Sequence, residues 1–270
     1  MRIKPEWKEY LQNLRKRELE ITFSYLTQKK FKTGLEIGAG NGFQSRILTN
    51  YVENLYCTEL NKDRLIQVEN PKIKYKICDA EIIDTYFEAS SFDFIFSSNL
   101  FEHLPNANAT IRGIRKIIKN EGIIVHVIPS TFSAIMRVLL WYPNIFIMLL
   151  EKFFRIFDTK NRNEYCENKK KVNEENNLKL DKNFYNLSPL IRFLYPRPHG
   201  VSQNIYKELF AFSKKHWLKE FENEDFRIIK VLKGPVCSGY GFGLDLLRTT
   251  LEKIGITSEY IFVAMKKINK

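Results

Sequence analysis

Apolar residues recur along this chain with two different periods, and the switches between them outline a fold. From about Pro5 to Lys30, Trp7, Leu11, Leu14, Leu19, Phe23 and Leu26 stand among charges at roughly helical spacing. Gly34-Leu35-Glu36-Ile37 is then a short apolar run that stops at glycines. Asn54–Thr58 reads as a strand and Asn61–Val68 as a helix capped by Asn61. Ile73–Cys78 alternates apolar residues with Lys, as a strand does. Phe92–Phe96 and Ile123–Ile128 are continuous apolar runs, the pattern of central strands covered on both faces. Between them Ala107–Lys119 is predicted helical, ended by Asn120-Glu121-Gly122. The alternation predicts an α/β fold with a doubly wound, mostly parallel sheet.

The pattern breaks after Pro129-Ser130. Phe132–Phe157 is strongly apolar, with Trp141, Tyr142, Phe146, Met148 and Phe153 among its large side chains. Its longest charge-free stretch, Val138–Leu150, is shorter than the roughly 20 residues a membrane span needs, and Pro143-Asn144 interrupts it. Asp158–Asn186 is polar and reads as a mobile loop, and Leu187–Gly200 holds three prolines. Gln203–Glu222 is predicted as a helix, and Phe226–Lys230 and Tyr260–Met265 as two last strands. Four divisions follow: an N-terminal helical extension (1–32), a core (33–130), an inserted helical cap (131–203) and a return to the core fold (204–270).

Composition narrows the function classes. With 44% hydrophobic and 27% charged residues, the 270-residue chain is not disordered throughout. Its net charge of +12 suits an anionic membrane, an acidic substrate or a nucleic acid, and equally a Lys- and Asn-rich composition with no such partner. No basic stripe interleaves with aromatics, so nucleic acid is not indicated. The cysteines, Cys57, Cys78, Cys166 and Cys237, form no C-x-x-C pair; free thiols and a cytoplasmic setting are expected. No His/Cys spacing supports zinc; no metal ligand is assigned, and whether a metal assists stays open. Met1–Lys30 lacks the apolar core of a signal peptide.

Candidate chemistry centres on Leu35-Glu36-Ile37-Gly38-Ala39-Gly40-Asn41-Gly42. Glycines at a strand-to-helix turn let backbone approach a ligand closely. The third glycine comes one residue early for the dinucleotide pattern G-x-G-x-x-G, and Phe43 stands where that pattern wants Gly. Glu59 follows the second predicted strand and is placed to accept both hydroxyls of a ribose, or to sit as a charge at a helix start. Asp79-Ala80 follows the third, where Asp79 can accept from an adenine amine or cap a helix. Polar groups at the carboxyl ends of three successive strands converge on one crevice.

Taken together, these motifs resemble those of class I S-adenosylmethionine-dependent methyltransferases, over about Thr33–Ser130. Leu35–Gly42 is similar to the family's glycine motif, with Glu36 in its acidic position, Glu59 to its ribose-binding acid and Asp79-Ala80 to its adenine motif. Phe92–Leu104 closely resembles the fourth-strand motif of small-molecule methyltransferases. The resemblance implies a seven-stranded Rossmann-like sheet whose last strand is antiparallel, and S-adenosylmethionine as cofactor. It implies Glu36, Gly38, Ala39, Gly40, Gly42, Glu59, Asp79, Ala80, Ser97 and Asn99 as cofactor-binding residues, with Ser97–Asn99 forming the floor beside the methyl group.

Methyl transfer from a sulfonium asks the protein mainly to position the nucleophile and take its proton. His103 is the candidate general base, since an imidazole pKa near ~6.5 suits that task; its alternative role is to orient the following helix. His199 is a second candidate base or substrate contact. His126 reads as a core residue and His216 as a surface one. Val125–Ser130 with Trp141-Tyr142-Pro143 resembles, more weakly, methyltransferases of bacterial cell-surface glycan clusters. That implies O-methylation of a cell-surface or lipid-linked saccharide. Arg137, Lys152 and Arg155 around the apolar segment suit an interfacial helix on the anionic inner face of the cell membrane; a cap packed on the core, or an oligomer contact, is the alternative. Competing functions are methylation of a quinone precursor or another aglycone, and a non-catalytic membrane-peripheral S-adenosylmethionine-binding protein.

Overall fold

In the computed structural model, residues 7–65, 69–157, 196, 198–202 and 204–267 are described. The strands are β1 (Phe31–Ile37), β2 (Val52–Glu59), β3 (Ile73–Ile77), β4 (Phe92–Ser98), β5 (Ile118–Pro129), β6 (Phe226–Lys233) and β7 (Glu259–Lys266). The helices are α1 (Trp7–Tyr25), α2 (Phe43–Leu48), α3 (Ala107–Ile117), α4 (Thr131–Phe157), α5 (Ile205–Ala211), α6 (Lys214–Asn223) and α7 (Asp245–Lys253). All seven strands join one sheet in the order β3-β2-β1-β4-β5-β7-β6. The first five pair in parallel, and β7 runs antiparallel to both β5 and β6. This is the doubly wound, mostly parallel seven-stranded Rossmann-like arrangement.

Alternation along the central strands feeds two cores. On one face Phe94 and Phe96 of β4, Val125 and Val127 of β5 and Ile261 and Val263 of β7 pack with Leu19, Phe23 and Leu26. On the other, Ile95, Ile124, Ile128 and Phe262 pack with Ile111, Ile114 and Ile117 of α3 and Phe221 of α6. Leu19, Phe23 and Leu26 thus pack the described part of residues 1–32 onto that face of the sheet, beside Leu48 of α2. Asn106 caps α3 by accepting from the Ala109 N–H at 3.1 Å.

Four local expectations change. After β2, Asn61 does cap, accepting from the Asp63 N–H at 2.8 Å, but only a single 3-10 turn, Lys62–Arg64, follows; residues 66–68 of the expected helix lie outside the described residues. Asn120-Glu121-Gly122 does not end α3: that helix stops at Ile117 and β5 already runs through those residues. The expected helix over Gln203–Glu222 is two helices, because Ser213 starts α6 by accepting from the His216 N–H at 3.2 Å. Pro143 does not interrupt the apolar segment, since α4 is one helix of 27 residues running through it. Within it Thr131–Leu150, 20 residues with only 17% buried, is long and apolar enough to cross a membrane by length and composition, contrary to the expectation from Val138–Leu150 alone. Cys57 and Cys78 are free and buried and Cys237 is free; Cys166 and Asp158–Asn186 lie outside the described residues.

Phe94 is fully buried and its ring meets those of Phe23 and Phe31. Phe94→Ala should lower stability by about 3–5 kcal/mol, the usual cost of emptying such a site. Urea unfolding of the two proteins checks it.

Candidate functional site

The turn after β1 is built for close approach. Gly38, Gly40 and Gly42 have φ of 76°, 51° and 69°, the left-handed region that only glycine enters freely. The Gly38 and Ala39 N–H groups both donate to the Thr58 carbonyl at 2.9 Å, tying the turn to β2. A Cβ on Gly40 would meet nothing within 4 Å, so open space lies against this backbone. Beside it, Glu59 Oε2 accepts from the Gly40 N–H at 3.1 Å, while Oε1 accepts from the Leu60 N–H at 3.0 Å. A carboxylate offers about four lone-pair sites, so Glu59 is oriented at the turn with capacity to spare. Asp79 plays its capping role, accepting at Oδ1 from the Glu81 N–H at 3.0 Å, which occupies one of its two oxygens. Ala80 is buried next to it. An open cradle at Gly40, an oriented acid at the end of β2 and another just past β3 fit an adenosyl group: the ribose diol and the adenine amine each have an acceptor.

Two expected cofactor contacts are spent elsewhere. Ser97 is fully buried, and its hydroxyl lies 2.7 Å from His126 Nδ1, so its side chain does not reach the crevice. The reason is strand alternation: Ser97 points into the layer where His126, also fully buried, stacks on Phe221. Glu36 is buried as well, and its Oε2 accepts from the Ser45 hydroxyl and the Cys57 thiol. Burial pushes its carboxyl up to about 7.

Asn99, at φ 51°, lies where β4 ends. Beyond it opens a cavity of about 670 Å³, whose walls include Trp7, Arg15, Asn99, His103, Arg137, His199, Tyr240 and Glu259. Its floor is a charged network absent from the expectations above. Arg15 pairs with Glu18 at 2.5 Å and with Glu259 at 3.3 Å. Ser98 donates to Glu18 at 2.7 Å, and the Asn99 amide donates to Glu259 at 3.3 Å. Glu18 occupies the buried stripe of α1 with Leu14, Leu19, Thr22 and Phe23. An acid on an otherwise apolar helical face was the signal that could have found it. Glu259, at the start of β7, and Arg137 with Glu208 had no local signal, because each gains its partner only from a distant part of the chain.

His103 and His199, far apart in sequence, come together with ring centroids 4.7 Å apart. Glu102 lies between them with its Oε1 at 3.8 Å from His103 Nε2 and 3.9 Å from His199 Nε2. Burial pushes the Glu102 carboxyl up to about 8, and burial holds both imidazoles below their ordinary value, so they are neutral near pH 7. The 198–202 segment is seated tightly: Val201 N–H donates to the Glu102 carbonyl at 2.9 Å, and His199 N–H to Glu208 at 3.1 Å. Gly200, at φ 67°, allows this, since a Cβ there would lie 2.0 Å from the Glu102 carbonyl oxygen. His216 is half-buried beside Glu220 rather than on the open surface.

Residues 35–126 match the family profile described as a methyltransferase domain of type 11. A highly reducing polyketide synthase of Gibberella moniliformis is 30% identical over 103 residues, covering 33% of this chain and 4% of that protein. Phosphoethanolamine N-methyltransferase 2 of Caenorhabditis elegans is 28% identical over 102 residues, 35% of this chain and 23% of that protein. The chain thus spans under a quarter of the length of these curated relatives. Among solved structures, a complex of the Haloferax volcanii Trm112 methyltransferase activator with a methyltransferase gives a TM-score of 0.55 at 11% identity, covering 96% of this chain and 93% of that one. The PH0226 protein of Pyrococcus horikoshii gives 0.54 at 12% identity, covering 96% and 92%. These two share the fold. Residues 35–126 match the type 11 methyltransferase domain, and the chain has the class I methyltransferase fold, whose cofactor is S-adenosylmethionine.

Two outcomes follow. Glu59→Gln removes one charged acceptor from the ribose position; a hydrogen bond to a charged group contributes about 1.5–3 kcal/mol, so S-adenosylhomocysteine affinity should fall about 10- to 100-fold by calorimetry. For Glu36, the folded chain holds its proton up to about pH 7 while the ordinary value is 4.5. The native state therefore binds more protons inside that window, and stability falls as pH rises through it. Glu36→Gln should remove this slope, read as a flatter dependence of the thermal midpoint on pH.

Proposed function

We propose that this chain is an S-adenosylmethionine-dependent methyltransferase acting on a hydroxyl oxygen of a small acceptor, a cell-surface or lipid-linked saccharide. The single observation that carries it is the cavity beyond Asn99: it shares Asn99 with the proposed cofactor residues and holds a neutral imidazole pair on its wall. The bound cofactor supplies a methyl group on a sulfonium, which leaves as a neutral thioether when the carbon–oxygen bond forms. Gly40 and Glu59 place the ribose, and Asp79 the adenine. Asn99, held by Glu259, lines the cavity and is itself a proposed cofactor contact. The acceptor hydroxyl gives up its proton to His103, which is neutral at pH 7; burial holds His199 down at about 3, too weak a base for that proton, so its role is contact with the acceptor. Trp7 and Tyr240 offer apolar faces of the kind sugar rings stack on.

A lipid-linked acceptor is favoured by α4. Leu139, Tyr142, Phe146, Leu149, Leu150 and Phe153 share one helical stripe, and all are exposed. The opposite side is held by the protein, with Ala134 and Asn144 buried and Arg137 paired with Glu208. A helix gripped along one side and apolar along the other suits a membrane interface rather than a span. The positive net charge suits the anionic inner leaflet and supports an acceptor met at the cytoplasmic side.

Two experiments test this. Lipids and surface glycans from cells lacking the gene should lose about 14 Da, one methylene, per site in mass spectra; unchanged spectra defeat the saccharide assignment. The purified chain should pellet with anionic liposomes at low salt. Leu139→Glu with Phe146→Glu should abolish pelleting while leaving S-adenosylhomocysteine affinity unchanged.

A further inference from the structure

Glu102 is an anomaly in electrostatic terms. Its side chain is 1% exposed, and neither carboxylate oxygen has a hydrogen-bond partner among the described residues. Buried polar oxygens left without a partner cost free energy that proteins rarely bear without a compensating group. The positive groups nearby are committed elsewhere: Arg15 to Glu18 and Glu259, and Arg137 to Glu208. What faces Glu102 instead is the pair of imidazoles, at 3.8 and 3.9 Å, too long for hydrogen bonds. One ligand atom from each of Glu102, His103 and His199 lies within 4.8 Å of the others.

We propose that Glu102, His103 and His199 form a binding site for a divalent first-row transition-metal ion on the wall of the cavity beyond Asn99. Two imidazoles and one carboxylate are a donor set that suits zinc, manganese or ferrous iron, and suits magnesium or calcium poorly because those ions prefer all-oxygen shells. Two atoms each about 2.1 Å from one ion stand roughly 3.0–3.4 Å apart at octahedral to tetrahedral angles. To seat the ion, the Glu102 separations of 3.8 and 3.9 Å must close by at least about half an ångström, and the two imidazoles, whose ligand atoms lie within 4.8 Å of each other, must turn together as well. The three donors come from two chain segments locked together: Val201 N–H is bonded to the Glu102 carbonyl, and Gly200 packs against that same oxygen. Three protein ligands leave positions open toward the cavity, the mark of a catalytic rather than a structural site.

The site stands on this geometry alone; its role rests on the function proposed above. With an ion bound, both imidazole lone pairs are used, and the ion takes over from His103 the task of activating the acceptor hydroxyl. The acceptor hydroxyl would bind the ion, which lowers its pKa so that its proton passes to water.

The test uses the full chain, stripped with a chelator and titrated with Co²⁺, followed by calorimetry and visible absorption. One ion per chain is expected, with d–d bands and no thiolate charge-transfer band. Losing an outer-shell partner already weakens metal sites about 10- to 100-fold. Glu102→Gln and His199→Ala should each weaken Co²⁺ more than about 100-fold, losing a direct ligand. S-adenosylhomocysteine affinity, measured on the same samples, should stay within twofold, which reports folding and keeps the cofactor question separate. No stoichiometric uptake, uptake unchanged in both variants, or a thiolate band pointing to Cys237 would each overturn the site.

Discussion

Strand β1 is paired in parallel on both edges, with β2 on one side and β4 on the other. The chain leaves β1 toward β2 and returns later to β4, so the connections on its two sides depart in opposite directions. A gap between them opens at the carboxyl end of β1, and no side chain needs to fill it. Everything functional in this molecule hangs on that gap. The glycine turn lines it because backbone alone fits there. Glu59 reaches it because β2 ends in register with β1, which puts Ile37 opposite Thr58 and Glu59 one residue beyond. Asn99 borders it from β4. Were β4 to pair elsewhere, the same residues would sit at the rim of an ordinary sheet edge.

Around this gap the protein buries more charge than a core of its size requires. Arg15, Glu18 and Glu259 form a network whose members come from α1 and the last strand. Buried ion pairs of this kind seldom add stability over an apolar replacement, because desolvation offsets the Coulomb attraction. Their use is positional. Glu259 holds the Asn99 amide, and Glu18 holds Ser98, so the end of β4 is fixed from two sides. The same logic applies at Glu208, which gathers Arg137 and the His199 backbone into one place. The cavity is thus walled by side chains whose directions are set by partners distant in sequence.

α4 completes the enclosure from the other side. Its start follows β5 directly, and Arg137, Ser133 and Asn144 on it face the cavity. Its far stripe is apolar and uncovered. One helix therefore connects the region where an acceptor would be held to a surface that water does not favour. A lipid-linked saccharide, the acceptor proposed above, needs both at once.

Much of the fold was legible in the chain by itself, for a local reason. Six strands stand where apolar runs predicted them, from Asn54–Thr58 to Tyr260–Met265, because strand burial imprints alternation or continuity on neighbouring residues. The short Leu35-Glu36-Ile37 run and the glycines after it marked the remaining strand and the crevice in the same way, since φ above zero favours glycine locally. What the chain alone did not reveal depended on partners brought from afar. Ser97 looked like part of the methyl-side floor until strand alternation turned it toward His126. Asp79 and His199 kept open roles until their neighbours were known. The Arg15–Glu18–Glu259 network, the seat of His199 against Glu102, and the passage of α4 through Pro143 were decided by tertiary packing. Charge pairing and desolvation act through space, and a sequence records only what lies next along the chain.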